Sequence, residues 1–306
     1  MREEKIHQPV MVSEVVAYLA CAPGRTYVDA TVGCGGHAAA ILEASSPDGS
    51  LIGIDRDGEA LQEAEASLEA YRGRYTLHRA DFRDLASVLQ QEGIGSVDGI
   101  LLDLGISSLQ VDRADRGFSF RNDGPLDMRM NREDGLTAEE LIRETSEEKL
   151  AMFIRTYGDE RRAKRIARAV KDAVARGPLS TRGLADTVQE ALGGRRPRKG
   201  RIHPATRTFQ ALRIAVNDEM QALANVLDDM PGMLLPGGRC CCIAYHSLED
   251  RIVKNAFRDQ AGRGMDRREP VVDLLTKKPV RPSPEEVDSN PRSRSARLRA
   301  MRKKEN

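Results

Sequence analysis

The stretch Thr26-Tyr-Val-Asp-Ala-Thr-Val-Gly-Cys-Gly-Gly-His37 decides the fold of this chain. The apolar and β-branched residues of its first seven positions predict a short buried strand. Gly33, Gly35 and Gly36 permit a tight turn and a close approach of the backbone to a ligand. The residues from His37 onward favour a helix. This order predicts the first half of a nucleotide-binding βαβ unit, although a turn without a ligand has the same pattern.

Three further residues each follow a predicted strand. The strands are predicted over residues 51–54, 75–80 and 97–102. Asp55, Phe82 and Asp103 follow them. Ligands of parallel sheets bind beyond the carboxyl ends of the strands, so these residues are expected to border one crevice.

Asp55 lies twenty residues after Gly35. Nucleoside sites place a carboxylate at this spacing, where it accepts hydrogen bonds from both ribose hydroxyls. The alternative is that Asp55 caps the helix predicted over 59–71.

Composition excludes several classes of protein. The chain has 306 residues, enough for one large α/β domain or two smaller ones. Its five cysteines are an odd number, and Cys240–Cys242 are consecutive, so we expect small buried side chains rather than disulfides. No His/Cys cluster has metal-ligand spacing. No signal or membrane segment is visible, and the cytoplasm is the expected location.

The alternation of strands and helices is interrupted in the middle of the chain. Residues 112–204 are predicted to form an inserted helical domain, and residues 1–111 and 205–306 the sheet domain. After a helix predicted over 206–227, strands are expected at 239–245, 271–276 and 297–301.

Basic residues are clustered although 48 Lys and Arg nearly balance 47 Asp and Glu. The clusters lie at 155–176, 195–201 and 292–304. Such asymmetry favours a polyanionic partner, most simply nucleic acid. The alternative for the predicted helix 159–176 is a solvated charged face.

The glycine turn fits two cofactors. Gly33-x-Gly35-x-x-Ala38 matches a dinucleotide fingerprint as well as a methyltransferase loop. Asp29, four residues before Gly33, and the final pair of strands favour a methyltransferase that uses S-adenosylmethionine (SAM). A dehydrogenase stays possible, as does a non-catalytic RNA-binding protein, which explains the basic clusters but not the aligned carboxylates.

Six motifs carry a resemblance to a known family. They are Val28-Asp-Ala-Thr-Val-Gly-Cys-Gly-Gly-His37, Gly99-Ile-Leu-Leu-Asp-Leu-Gly-Ile-Ser-Ser108, Asp115-Arg-Gly-Phe-Ser-Phe120, Gly124-Pro-Leu-Asp-Met-Arg-Met130, His203-Pro-Ala-Thr-Arg-Thr-Phe-Gln-Ala-Leu-Arg-Ile-Ala-Val-Asn-Asp-Glu219 and His246-Ser-Leu-Glu-Asp-Arg-Ile-Val-Lys254. Together they resemble the bacterial SAM-dependent 16S ribosomal RNA cytosine-N4 methyltransferases. The resemblance implies a Rossmann-like class I methyltransferase sheet with an inserted helical domain. It also implies a cytidine in the decoding region of the small ribosomal subunit as substrate.

The resemblance also assigns residues to the cofactor. They are Gly35, Gly36, His37, Asp55, Phe82, Asp103 and Gln110. Three positions depart from the usual pattern: Cys34 is often basic, Ala38 often Ser, and Tyr245 often Phe. The sequence sets no oligomeric state.

Two residues are candidates for the chemistry on cytosine. Asp103 is placed to accept amino hydrogens as charge develops, or else to hold the amino-acid part of SAM. His246, just after the predicted fifth strand, is the second candidate, with a helix-entry residue as the alternative. The basic loop is expected to bind RNA phosphates through Arg195, Arg196, Arg198, Lys199 and Arg201.

Overall fold

A computed structural model describes residues 8–194, 203–264 and 269–305. The chain divides into two compact units. The first, the sheet unit, comprises Met1–Gly105 and Met220–Asn306, and the second, the helical unit, comprises Ile106–Glu219. The helical unit extends beyond the predicted 112–204 on both sides. Among the described residues, no helix is both long and apolar enough to cross a membrane.

The sheet unit contains a seven-stranded sheet in the order β3-β2-β1-β4-β5-β7-β6. The strands are β1 Thr26–Asp29, β2 Ser50–Asp55, β3 Tyr75–Arg79, β4 Val97–Asp103, β5 Leu234–Ala244, β6 Val272–Leu274 and β7 Arg297–Lys303. The first five pair in parallel, and β7 runs antiparallel to both β5 and β6. The predicted α/β fold of a Rossmann-like methyltransferase sheet is confirmed.

Thirteen α-helices accompany these strands in the described residues. They are α1 Val12–Leu19, α2 Gly36–Ala44, α3 Gly58–Ser67, α4 Leu85–Gln91, α5 Ser108–Asp112, α6 Ala138–Glu144, α7 Glu147–Gly158, α8 Ala163–Arg176, α9 Thr181–Ala191, α10 Ala205–Asn217, α11 Glu219–Met233, α12 Ser247–Gln260 and α13 Pro284–Ser289. Helices α5 to α10 belong to the helical unit, where the apolar faces of α6 to α10 form one core.

Each face of the sheet is covered by helices. Side chains of α4, α11 and α12 form the core on one face, and those of α1 and α2 the core on the other. Cys240 and Cys242 point into the first core and Cys241 into the second, because consecutive strand residues alternate between faces. All three are fully buried, as the sequence predicts.

Two predicted boundaries are wrong. The helix predicted over 206–227 is divided, because Asp218 adopts a left-handed conformation (φ 50°) between α10 and α11. The strand predicted over 239–245 begins earlier, because β5 starts at Leu234 opposite Val97. The pairing register then shifts between Val97 and Gly99, and this irregularity absorbs Pro-Gly-Gly within the strand.

Candidate active site

Three carboxylates stand side by side at the carboxyl end of the sheet. Asp29, Asp55 and Asp103 are the last residues of β1, β2 and β4, which are neighbours in the order β2-β1-β4. Parallel pairing brings these ends to one edge. The structure therefore brings Asp55 and Asp103 to one edge of the sheet, as the strand-end pattern predicts.

Asp29 is buried, with 1% of its surface exposed. Its Oδ1 accepts a hydrogen bond from the Thr31 amide at 3.2 Å, whereas no described residue donates to its buried Oδ2. Burial, reinforced by the negative charges of Asp103 and Asp55, raises the pKa of Asp29 to about 7. His37 opposes this shift. Asp29 is therefore a desolvated, half-satisfied acid in the middle of the row of carboxylates.

Asp55, the last residue of β2, forms a hydrogen bond with the glycine turn. Its Oδ2 accepts from the Gly33 amide and its Oδ1 from the Asp57 amide, both at 2.9 Å. Burial raises the pKa of Asp55. The alternative of a helix cap does not apply to Asp55, because Asp57 caps α3 through the Glu59 amide at 3.2 Å.

Packing accounts for two of the glycines. Gly35 has φ 87°, and a Cβ there would collide with Ser67 Oγ of α3. A Cβ on Gly36 would lie 3.0 Å from the Pro9 ring. The turn is therefore closely packed on its protein side.

Asp103 is held by three side chains of the sheet unit. Its Oδ1 accepts from the Tyr245 hydroxyl at 2.8 Å, and its Oδ2 lies 3.5 Å from His37 Nδ1. Its amide donates to Thr31 Oγ1 at 2.7 Å. Burial raises the pKa of Asp103, while His37 and the Tyr245 hydrogen bond act in the opposite direction.

His37 is itself buried, with 5% of its surface exposed. Its Nε2 lies 2.8 Å from the Val10 carbonyl oxygen. The carbonyl only accepts, so Nε2 carries a hydrogen and Nδ1 faces Asp103. The ring therefore links the N-terminal segment to the crevice, a role that the sequence did not suggest.

The other two predicted cofactor contacts lie in different units. Phe82 follows β3 and opens a short 3₁₀ turn that Asp81 caps through the Arg83 amide at 3.0 Å. Gln110 belongs to the helical unit, where it is buried and forms a reciprocal capping box with Ser107.

His246 caps a helix. Its Nδ1 accepts from the Glu249 amide at 3.4 Å, and its Nε2 lies 2.8 Å from Glu249 Oε1. Glu249 Oε2 in turn accepts from the amides of Tyr245 and His246, at 2.8 and 3.2 Å. The helix-entry alternative therefore describes what the His246 side chain does in this structure.

The polar side chains that surround Asp103 were not predicted from the sequence. Thr31 and Tyr245 lie 72 and 142 residues from it along the chain. Thr31 belongs to the opening stretch, and the departure at Tyr245 was the only signal of its hydroxyl.

Two of the three basic clusters lie among the described residues. The predicted RNA-binding residues of the loop 195–201 lie outside the described residues. In the C-terminal cluster, Arg299 pairs with Asp250 at 2.7 Å, and Arg302 pairs with Asp273 at 3.1 Å. Arg299 is buried in its ion pair, whereas the Arg302–Asp273 pair is exposed, so only Arg299 is withdrawn from the surface.

The basic face of α8 also has an internal role. Lys171 Nζ donates to the carbonyls of Ile142, Arg143 and Thr145 at 2.8–3.0 Å. These carbonyls lie at the end of α6, so the ammonium group caps that helix. Lys171 therefore has a packing role that neither RNA binding nor the solvated-face alternative predicted for this helix.

Comparison with known proteins identifies relatives across the whole chain. A sequence profile of the MraW methylase family matches residues 4–304. A protein of Syntrophotalea carbinolica named ribosomal RNA small subunit methyltransferase H is 49% identical over 313 aligned residues, covering 99% of both chains. A protein of the same name from Syntrophus aciditrophicus is 50% identical over 304, covering 96% of each.

Solved structures that resemble this chain are much more distant. A SAM-dependent O-methyltransferase from Thermotoga maritima aligns with a TM-score of 0.43 at 13% identity, covering 98% of this chain and 68% of its own. Aeropyrum pernix fibrillarin with bound SAM aligns with a TM-score of 0.42 at 8% identity, covering 95% and 73%. Similarities this distant carry no information on the site residues.

Proposed function

The chain belongs to the MraW methylase family, and we propose that it transfers a methyl group from SAM to the exocyclic N4 amine of a cytidine in the decoding region of 16S ribosomal RNA. The name of the relatives, ribosomal RNA small subunit methyltransferase H, supports a substrate in the small subunit. The observation that carries the proposal is the row of carboxylates Asp29, Asp55 and Asp103 beside the glycine turn.

The residues of the crevice fit the cofactor. A carboxylate oxygen accepts more than one hydrogen bond, so Asp55, with one backbone donor on each oxygen, still has capacity for ribose hydroxyls. The buried Asp29 Oδ2, to which no described residue donates, is a further carboxyl oxygen at the same edge. When bound, SAM supplies an electrophilic methyl group on a sulfonium cation, which neighbouring carboxylates stabilise.

Asp103 is our first candidate for contact with the reacting groups. The cytosine amino group must be aimed at the methyl carbon, and its hydrogens need an acceptor as positive charge develops. Asp103 either fulfils this role or holds the amino-acid part of SAM. His246 is the weaker candidate, because both ring nitrogens already face Glu249.

RNA binding is proposed for the helical unit and the basic loop. A base leaves its stack before an enzyme acts on it, so the crevice must receive a flipped cytidine. The charges of Arg195, Arg196, Arg198, Lys199 and Arg201 suit the flanking phosphates. We propose that the unit Ile106–Glu219 recognises the substrate around them.

The decisive experiment supplies radiolabelled SAM with free 16S RNA, small subunits or large subunits, and then maps the labelled nucleoside. We expect N4-methylcytidine at one decoding-region position of small-subunit RNA. Label on another base, or in the large subunit alone, would contradict the proposed substrate. A thermal-shift comparison of SAM with NAD tests the cofactor, since a specific ligand stabilises the folded protein by mass action.

A further inference from the structure

The Asp103 carboxylate is fixed from both of its oxygens. The Tyr245 hydroxyl donates to Oδ1 at 2.8 Å, and His37 Nδ1 lies 3.5 Å from Oδ2. The Tyr245 ring packs on the turn after β4, since a Cβ on Gly105 would lie 3.3 Å from it. The orientation of the carboxylate therefore depends on Tyr245, which directly follows β5 and lies 142 residues from Asp103 along the chain.

Tyr245 is a stronger hydrogen-bond donor to Asp103 than His37 is, because of where the protons lie. His37 uses its Nε2 hydrogen on the Val10 carbonyl oxygen. A neutral ring would then present the Nδ1 lone pair to Asp103, which repels a carboxylate. Attraction there requires a proton shared between Nδ1 and Oδ2. The Tyr245 hydroxyl needs no shared proton to donate to Asp103. Burial and the charge of Asp103 raise the pKa of Tyr245 and keep its proton in place.

We propose that Tyr245 is a positioning residue that acts through Asp103, orienting its carboxylate and keeping it ionised for cofactor binding. The inference rests on the proposed function, because it assigns Tyr245 to the same site. A hydrogen bond to the charged form of an acid favours that form and is stronger than a bond between neutral groups.

The charges around Asp103 give the direction of the effect. Tyr245 favours the ionised carboxylate, as does His37 when its ring is protonated, while Glu249 of α12 and Asp29 of β1 oppose it. Removing the hydroxyl leaves the opposing charges and the burial in place. The pKa of Asp103 therefore rises in Tyr245→Phe, and the acid limb of SAM binding moves to higher pH.

The matched control is Tyr27→Phe. Tyr27 is another buried tyrosine of the sheet unit, and its hydroxyl accepts from the Ala22 amide at 2.9 Å. Its loss removes a buried hydroxyl interaction that does not involve Asp103. A general loss of stability therefore affects both variants, whereas a positioning effect is confined to Tyr245→Phe.

The first test is equilibrium dialysis of radiolabelled SAM against wild type and both variants from pH 5 to pH 9. We expect Tyr245→Phe to weaken binding roughly three- to tenfold near neutral pH, part of the value of a charge-assisted hydrogen bond, with the loss growing as pH falls. Equal affinity and an equal pH profile in wild type and Tyr245→Phe would overturn the inference. So would a loss that Tyr27→Phe reproduces.

The second test needs no cofactor. Carboxyl ¹³C NMR of aspartate-labelled protein, with Asp103 assigned by Asp103→Asn, follows its titration directly. A midpoint at higher pH in Tyr245→Phe supports the inference, and an unchanged midpoint overturns it. If wild type binds no SAM, the proposed function fails and the link to cofactor binding fails with it, whereas the titration still decides whether Tyr245 controls the charge of Asp103.

Discussion

Buried charged groups have different partners at the carboxyl edge of the sheet unit and in the helical unit. At the edge of the sheet unit, burial raises the pKa of Asp29, Asp55 and Asp103. In the helical unit, Arg213 forms two hydrogen bonds with the carboxylate of Glu219, both at 2.9 Å, and both side chains are largely buried. The carboxylates at the sheet edge therefore lie beside other carboxylates, whereas the Glu219 carboxylate is paired with an arginine.

A second buried network of the helical unit pairs its polar side chains with backbone groups instead of a carboxylate. Arg116 is fully buried and donates to the carbonyls of Arg129 and Met130 at 3.1 and 3.0 Å. Asn217 accepts from the Met130 amide at 2.9 Å and donates to the Met128 carbonyl at 2.8 Å. These bonds hold Met128 at φ 62°, a conformation unfavourable for a side chain without such support.

The comparison separates structural charges from functional ones. Paired polar groups fix a loop and leave little capacity for a ligand. Clustered, desolvated carboxylates destabilise the folded protein, and such groups are concentrated at functional sites. The predictions below test whether the two networks behave in these two ways.

The largest effect is expected at Asp103. Asp103→Ala should lower the rate of methyl transfer at least about 100-fold, because it removes a charged contact from the reacting groups. Asp98→Ala is the control, since Asp98 lies at the other end of β4 and accepts from the Thr26 amide at 2.9 Å. Single-turnover rates and melting temperatures measure both, and normal methylation by folded Asp103→Ala would remove Asp103 from the site.

The next effect concerns stability against pH. The folded-state pKa of Asp29 is about 7, above its ordinary 3.8, so its contribution to stability is present at low pH and is lost as pH rises to about 7. Relative to wild type, Asp29→Asn should gain about 3 kcal/mol between pH 5 and pH 8, an order-of-magnitude figure. Urea unfolding at each pH measures it, with the exposed Asp48→Asn as control. A pH-independent difference would contradict the buried-acid description.

The buried arginine of the helical unit should affect stability and spare the cofactor. Arg116→Met leaves two buried carbonyls without their donor, which should lower the free energy of unfolding by about 3 kcal/mol. Denaturant unfolding measures this, and the exposed Arg121→Met is the control. Dialysis should show SAM affinity near wild type in folded Arg116→Met, and a selective loss of SAM binding would break the contrast between the networks.

The smallest effect separates the two kinds of basic residue. Reversing the charges of Arg195, Arg196 and Arg198 to Glu should raise the KM for ribosomal substrate about tenfold and leave SAM binding intact. Lys171→Met should instead lower the melting temperature, because Lys171 caps α6. Methylation kinetics at several salt concentrations and thermal unfolding distinguish the two, and unchanged kinetics in the first variant would exclude the loop from RNA binding.

The sequence by itself determined the fold class, the order of the first five strands along the chain, and the positions of Asp55 and Asp103 at strand ends. These follow from local signals, since alternation, glycine turns and strand ends are properties of neighbouring residues. The long motifs also determined the family, which the profile match confirms.

Only the tertiary structure decided which polar groups are satisfied. It revealed the buried, half-satisfied Asp29, it placed the Tyr245 hydroxyl on Asp103, and it assigned Lys171 to a helix end. The partners of these groups lie far away in the chain, up to 142 residues in the case of Tyr245. Hydrogen bonding and burial depend on which distant segments come into contact, and local sequence patterns do not specify those contacts.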